Sequence, residues 1–161
     1  ACTCGPDVSS AAEIAPEAVT FRNDVMAVIS KAGCNLGVCH GNATGKGGFK
    51  LSLRGEDPAG DLAVLTRELF ARRINALNPA ESLLLLKATA QVAHEGGRRF
   101  GANSPEYAIL TKWIARQTPP DPNTIPKLTR LAVSPTSVVM IGDTDKVQLQ
   151  ALATFSDGQK R

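Results

Sequence analysis

Cys34-Asn35-Leu36-Gly37-Val38-Cys39-His40-Gly41 is the stretch on which the reading of this chain turns. A pair of cysteines closed by an immediately following histidine is the arrangement that ties down a covalent porphyrin. The commonest spacing is Cys-x-x-Cys-His; here four residues intervene. Two thiols must reach the two vinyl groups of one ring. The next residue must sit beneath the iron and offer a neutral imidazole nitrogen. The covalent link from Cys39 to His40 joins those two demands. The two extra residues are expected to bulge as a loop, with Gly37 free in its backbone angles and Asn35 able to enter the left-handed region. The expected cofactor is one haem c, attached through Cys34 and Cys39, with His40 as an iron ligand. Two other chemistries use the same residue types. Cys34 and Cys39 could close a small disulfide loop, or join Cys2, Cys4 and His40 around zinc.

The bulk properties narrow the field. The chain has 161 residues, enough for one domain and a smaller piece. Hydrophobic residues make up 43%, but aromatics only 4%, and a porphyrin would supply flat apolar bulk that the side chains lack. The formal net charge of +3 comes from dispersed basic residues, so no nucleic-acid partner is expected. The longest leucine run, Leu83 to Leu86, is far short of a membrane span. Four cysteines and a covalent haem fit an exported location, periplasmic, cell-surface or extracellular, and Ala1 is a residue type that can follow a cleaved leader.

Residues 1–20 read as an N-terminal arm. Cys2 and Cys4 are too close for an easy mutual disulfide, so a bond elsewhere, including to another copy, is the more comfortable pairing. Phe21 to Ala32 has a helical apolar face of Phe21, Val25, Val28 and Ile29, and Gly33 ends it where a C-terminal glycine belongs. Phe49 to Leu53 alternates as a strand or extended wall. Gly45-Lys46-Gly47-Gly48 lacks the spacing of a phosphate loop. Asp61 is the expected N-cap of a helix reaching about Ile74, with Leu62, Leu65, Leu69 and Phe70 inward. Pro79 to Ser82 opens a short helix capped by Ser82, whose Leu83 to Leu86 run should be buried. Ser104-Pro105-Glu106 opens another, with Tyr107, Leu110, Trp113 and Ile114 inside. Residues 119–127 form a proline-rich linker. Beyond it, Leu128 to Val133, Ser137 to Ile141 and Val147 to Phe155 read as strands.

The second iron ligand is sought among few residues. His40 and His94 are the only histidines, and Met26 and Met140 the only methionines. Met26 lies two turns before the cysteines and Met140 beyond the linker. His94 follows the leucine run, in Ala93-His94-Glu95-Gly96-Gly97, where the glycines would let a loop fold tightly over the ring. Bis-His ligation by His40 and His94 is the expectation. It implies a lower potential than His/Met ligation and closes both axial sites, so an electron carrier is expected and not an enzyme. Arg72, Arg73, Arg98 and Arg99 are candidate partners for the propionates.

Asp24 to Asn35, Cys39-His40-Gly41, Gly48-Phe49-Lys50-Leu51-Ser52-Leu53-Arg54-Gly55, Glu81 to Lys87 and His94-Glu95-Gly96-Gly97 together resemble the planctomycete-type cytochrome c domain. The resemblance covers about residues 20–118. Where that family often has proline before the distal histidine, this chain has Ala93. Residues 127–161 are similar to the opening strands of a bacterial Ig-like domain, which commonly follows this cytochrome domain in large exported proteins. The fold expected is therefore a mainly α cytochrome c-like domain over 21–118, followed at 128–161 by a short, incomplete all-β segment. The resemblance implies haem binding and electron transfer. A second expectation is a haem-bearing subunit of an extracellular filament, since an unfinished sheet has open edges that seek strands. Partners would be redox proteins or neighbouring copies, joined through the β edge or through Cys2 and Cys4.

Overall fold

A computed structural model describes residues 19–144 and 146–161. Nearly all of the expected arm, with Cys2 and Cys4, lies outside them. The chain divides into two compact units between Asp121 and Pro122, inside the proline-rich stretch.

The first unit is built from short helices. A π-helical turn, Phe21–Val25, runs straight into α1, Met26–Lys31. Its free N–H groups find acceptors on side chains, as helix starts require. Thr20 Oγ1 accepts from Asn23 N at 3.3 Å. The carboxylate of Asp121 accepts from Phe21 N at 2.6 Å and Arg22 N at 2.8 Å, closing the two ends of the unit on each other. The apolar stripe anticipated from the sequence is buried, and Met26 is buried with it. Gly33, at φ 75°, turns the chain out of α1 and into Cys34.

The next helix departs from expectation. α2 is Pro58–Thr66, and its N-cap is Asp57, whose carboxylate accepts from Gly60 N at 3.0 Å. Asp61 is not the cap. It is a buried carboxylate inside the first turn, accepting from Ser52 N at 2.6 Å and Ser52 Oγ at 2.7 Å. The helix also stops eight residues short of Ile74. Leu69, Phe70 and Ala71 take φ of 50°, 59° and 57°, a left-handed turn that costs about 1–2 kcal/mol per residue without glycine. Leu65 is fully buried, but Leu69 is half-exposed and Phe70 wholly exposed, contrary to the inward face expected. The turn doubles the chain back so that Arg73 Nη1 donates to the Val64 carbonyl at 2.7 Å. A continuous helix would carry Arg73 away from that carbonyl.

A 3₁₀ turn, Pro79–Glu81, leads into α3, Leu83–Ala88. Ser82 stands at the N-cap position but makes no side-chain cap; its Oγ accepts instead from Asn75 N at 2.9 Å. α4, Pro105–Ala115, starts with Ser104 Oγ accepting from Tyr107 N at 3.2 Å. Leu110, Trp113 and Ile114 are buried, and Trp113 meets Phe21 with ring centres 5.4 Å apart. A Trp-to-Ala truncation in such a site costs about 3–5 kcal/mol. Phe49 to Leu53 contributes no strand of its own. It bridges from Phe49 to Lys46 across the glycine turn, bonds from Leu51 N to His40 O at 2.8 Å with Leu51 buried, and ends in a 3₁₀ turn that begins at Leu53.

The second unit, Pro122–Arg161, holds one antiparallel pair, β1 Leu128–Ser134 and β2 Gln150–Phe155. The expected middle strand, Ser137 to Ile141, is not formed, and the last strand begins three residues later than expected, at Gln150. The register sets Leu131 opposite Ala153 and Val133 opposite Ala151, so these four share one face. Leu131 and Val133 are exposed there.

One ion pair between helices sets an acid limit on the first unit. Lys31 of α1 donates to Glu106 of α4, and that bond holds the Glu106 carboxyl down at about 2. A depressed carboxyl stabilises the fold above its unfolded value, and the contribution is lost as pH falls through the folded value. The stability difference between the wild type and Glu106→Gln, followed by denaturant unfolding, should therefore be constant above about pH 5 and shrink to nothing between about pH 4.5 and 2.

Candidate haem site

A cavity of about 680 Å³ opens beside the end of α1, within the range of about 300–1,000 Å³ for sites that hold small molecules and cofactors. Cys34, Cys39, His40 and His94 all line it. The loop that carries the first three is closed by backbone bonds: Cys39 N to Leu36 O at 2.9 Å, His40 N to Cys34 O at 2.9 Å and Gly41 N to Leu36 O at 3.0 Å. Neither Gly37 nor Asn35 uses a positive φ here. Asn35 has a different part, buried, with its Nδ2 donating to Ser30 Oγ at 2.9 Å. Gly41 is the residue that the loop needs, because a Cβ there would overlap the Asn35 carbonyl.

Both thiols are free. Burial pushes the Cys34 thiol above its ordinary value and the neighbouring Cys39 adds to this, while Arg99 pulls the other way. A thiol so held stays protonated at neutral pH and is slow in exchange. Among the described residues no three His, Cys, Asp or Glu side chains converge into a metal-holding group.

The two imidazoles are held alike. His40 Nδ1 lies 3.0 Å from the Phe49 carbonyl and His94 Nδ1 lies 2.9 Å from the Gly97 carbonyl. A carbonyl only accepts, so each Nδ1 carries a proton, and in the neutral ring the lone pair is then on Nε2. A backbone acceptor behind a ligating histidine fixes its tautomer and strengthens it as a donor to metal. Burial, with His94 nearby, pushes the His40 imidazole down from its ordinary value, against the bond to Phe49; the neutral form is the one that ligates. The ring centres are 6.4 Å apart and the planes 9° apart. The donor set, two imidazoles and two thiols lining one cavity, fits a covalently held haem.

His94 is placed by Gly96. A Cβ on Gly96 would come within 2.9 Å of the imidazole Cε1, and Gly97 N donates back to His94 O at 2.9 Å. Neither Met26, which is in the core, nor Met140, in the second unit, lines the cavity.

The four arginines separate. Arg72 and Arg99 line the cavity. Arg98 does not. Arg73 lines it too, but its Nη1 and Nη2 are occupied by Val64 O and Gly48 O, and its guanidinium lies 4.6 Å from the Phe49 ring. Arg99 is a clamp that the sequence did not reveal. Its Nε donates to Ala32 O at 2.6 Å, its Nη1 to Gly96 O at 3.2 Å and its backbone N to Ala88 O at 2.7 Å. It ties the ends of α1 and α3 to the His94 loop. Lys46 and Lys87 also line the cavity, against a single carboxylate, Glu95. The wall therefore favours a flat apolar ligand with anionic groups at its edge.

Comparison with known proteins finds no matching family model, no matching curated protein and no matching solved structure. No helix among the described residues is long and apolar enough to cross a membrane.

The contact between Gly96 and His94 gives a test that needs no ligand. Gly96→Ala should swing the His94 ring away and abolish the Nδ1 bond to Gly97, seen by NMR as loss of the slowly exchanging imidazole proton. The melting temperature should move by no more than the few degrees of a surface change.

Proposed function

We propose that this chain is an exported monohaem c-type cytochrome that carries electrons and has no catalytic activity of its own. The observation that carries the reading is the matched pair His40 and His94, each with Nδ1 bonded to a backbone carbonyl and each lining the cavity that Cys34 and Cys39 also line. When bound, haem supplies a one-electron iron couple. Cys34 and Cys39 offer the two sulfurs for thioether bonds, which hold the ring to the end of α1. His40 and His94 would hold the iron through their Nε2 atoms, and with both engaged oxygen or peroxide would find no ligand position. Their carbonyl anchors keep both rings in place whichever charge the site carries, and a carrier needs that small rearrangement. Arg72 is the arginine of the lining not tied to backbone carbonyls and is the cation proposed for the propionates, and Leu83 and Leu84 of α3 add apolar wall that keeps water from the ring. The resemblance read in the sequence over residues 20–118 points the same way, although no family model matches the chain.

A second reading, as a haem-bearing subunit of an extracellular assembly, is favoured by one observation in the second unit. Leu131 and Val133 are exposed on a face of a two-stranded ladder whose β2 edge is bonded only in part, by residues 159–161, and Leu149, Val139 and Ile141 are exposed in the same unit. Such a ladder is marginal by itself and gains from added strands. Sizing of the purified protein by light scattering distinguishes the readings: oligomers that grow with concentration support assembly, and a strict monomer removes it.

Protein matured in a host that exports and attaches haem should be coloured, show a Soret band, and carry about 600 Da of extra mass that resists acid extraction. His94→Ala should keep the colour and the mass but turn the iron from low to high spin. A colourless product with two titratable thiols would overturn the reading.

A further inference from the structure

Arg73 is nearly completely buried, at 6% exposure, and a buried cation needs a reason. Its nearest carboxylate, Glu68, is 3.6 Å away and half in solvent. The guanidinium is spent on backbone and on a ring. Nη1 donates to Val64 O at 2.7 Å and Nη2 to Gly48 O at 2.9 Å. The plane lies 4.6 Å from the centre of the Phe49 ring, a cation–π distance. The Phe49 ring in turn lies 4.5 Å from the His40 ring.

These contacts converge on one short piece of backbone. Gly48 O is held by Arg73, and the carbonyl of the next residue, Phe49 O, is the acceptor for His40 Nδ1. Phe49 O also accepts from Lys46 N at 3.0 Å, and Phe49 N donates to Lys46 O at 3.0 Å, so the glycine turn is closed on itself. Nothing in Gly47 or Gly48 stiffens that turn. Both have positive φ and open space where a side chain would be. The strip is held within itself by the Lys46–Phe49 pair and to His40 by Leu51 N donating to His40 O at 2.8 Å. The fork of Arg73 adds the tie to α2 at the glycine, and the left-handed turn at Leu69–Ala71 delivers Arg73 to it.

We propose that Arg73 is a positioning residue for the proximal ligand: it pins the Gly48–Phe49 strip against α2 so that the Phe49 carbonyl holds His40 Nδ1, and it is not a partner of the propionates. The proposal deepens the haem reading and rests on His40 being an iron ligand. Lysine is the informative replacement. It keeps the positive charge but is a point donor, and cannot bridge two carbonyls and stack as a planar fork does.

Two readouts separate positioning from mere structure. The first is the solvent exchange of the His40 Nδ1 proton by NMR, in haem-loaded protein with the iron reduced and diamagnetic. Arg73→Lys should speed it about tenfold or more, because the acceptor is no longer fixed. The second is the midpoint potential of the same variant. A carbonyl behind the imidazole strengthens it as a ligand and favours the oxidised iron. Loosening that bond with the charge retained should shift the potential upward. A folded Arg73→Lys protein whose exchange rate and potential both match the wild type overturns the proposal. If Arg73→Lys does not fold, Phe49→Leu removes the ring that Arg73 grips and leaves the carbonyl in place. Faster His40 exchange in that variant supports the proposal and unchanged exchange overturns it. If the wild-type protein is colourless, the haem reading fails by itself. The exchange measurement on that colourless protein still reports whether Arg73 holds His40.

Discussion

Everything at the candidate site depends on two hydrogen bonds from imidazole to backbone, His40 to Phe49 and His94 to Gly97. Each is worth only about 1 kcal/mol in net stability. Their effect lies in direction. An imidazole with a free ring can rotate, exchange tautomers or take a proton, and in each case the nitrogen that would ligate is lost part of the time. Tying Nδ1–H to a carbonyl fixes the rotation and the tautomer, and at His40 burial opposes the extra proton. The remainder of the first unit can be understood as the apparatus that keeps two carbonyls, from residues nearly fifty positions apart, in register across one cavity.

That apparatus is made of backbone closures and two arginines. The Cys34 to Gly41 loop closes on itself through three backbone bonds, and Gly41 can pass the Asn35 carbonyl only because it lacks a side chain. Arg99 ties the end of α1 and the end of α3 to the loop that carries His94. Arg73 ties α2 to the strip that supports His40. Both arginines bond to carbonyls, which are numerous wherever short helices end, so a fold of short helices has many acceptors for them. Trp113 and Phe21 pair within an otherwise aliphatic core, and Phe49 lines the cavity beside aliphatic side chains.

How legible this was depended on the range of each interaction. The helices beginning at Phe21 and Pro105 were legible, since apolar periodicity, Gly33 and the Ser104-Pro105 cap are all local signals that packing did not contradict. The helix from Asp61 to Ile74 was misread because the spacing of Leu62, Leu65 and Leu69 continues past the point where Arg73 draws the chain back. Asp57 and Asp61 lie four residues apart, and either could cap; which one does depends on Ser52, nine positions earlier, claiming the Asp61 carboxylate. Ser82 was misread in the same way, its hydroxyl being taken by Asn75 N. In the second unit Ser137 to Ile141 read as a strand from its residue types, but a strand forms only where another offers a ladder.

The sequence alone carried the candidate residues: two thiols and an imidazole at fixed covalent spacing, a second and last histidine followed by Glu95 and two glycines, and an apolar run between them. These are properties of residue type and chain order, and no fold is needed to read them. Only the tertiary structure decided which nitrogen of each imidazole is available, which arginines are bound up in backbone and which face the cavity, and where the second helix ends. Those outcomes rest on hydrogen bonds between residues far apart in the chain, such as Arg99 to Ala32 and Arg73 to Gly48, and a donor does not announce in sequence which distant carbonyl it will meet.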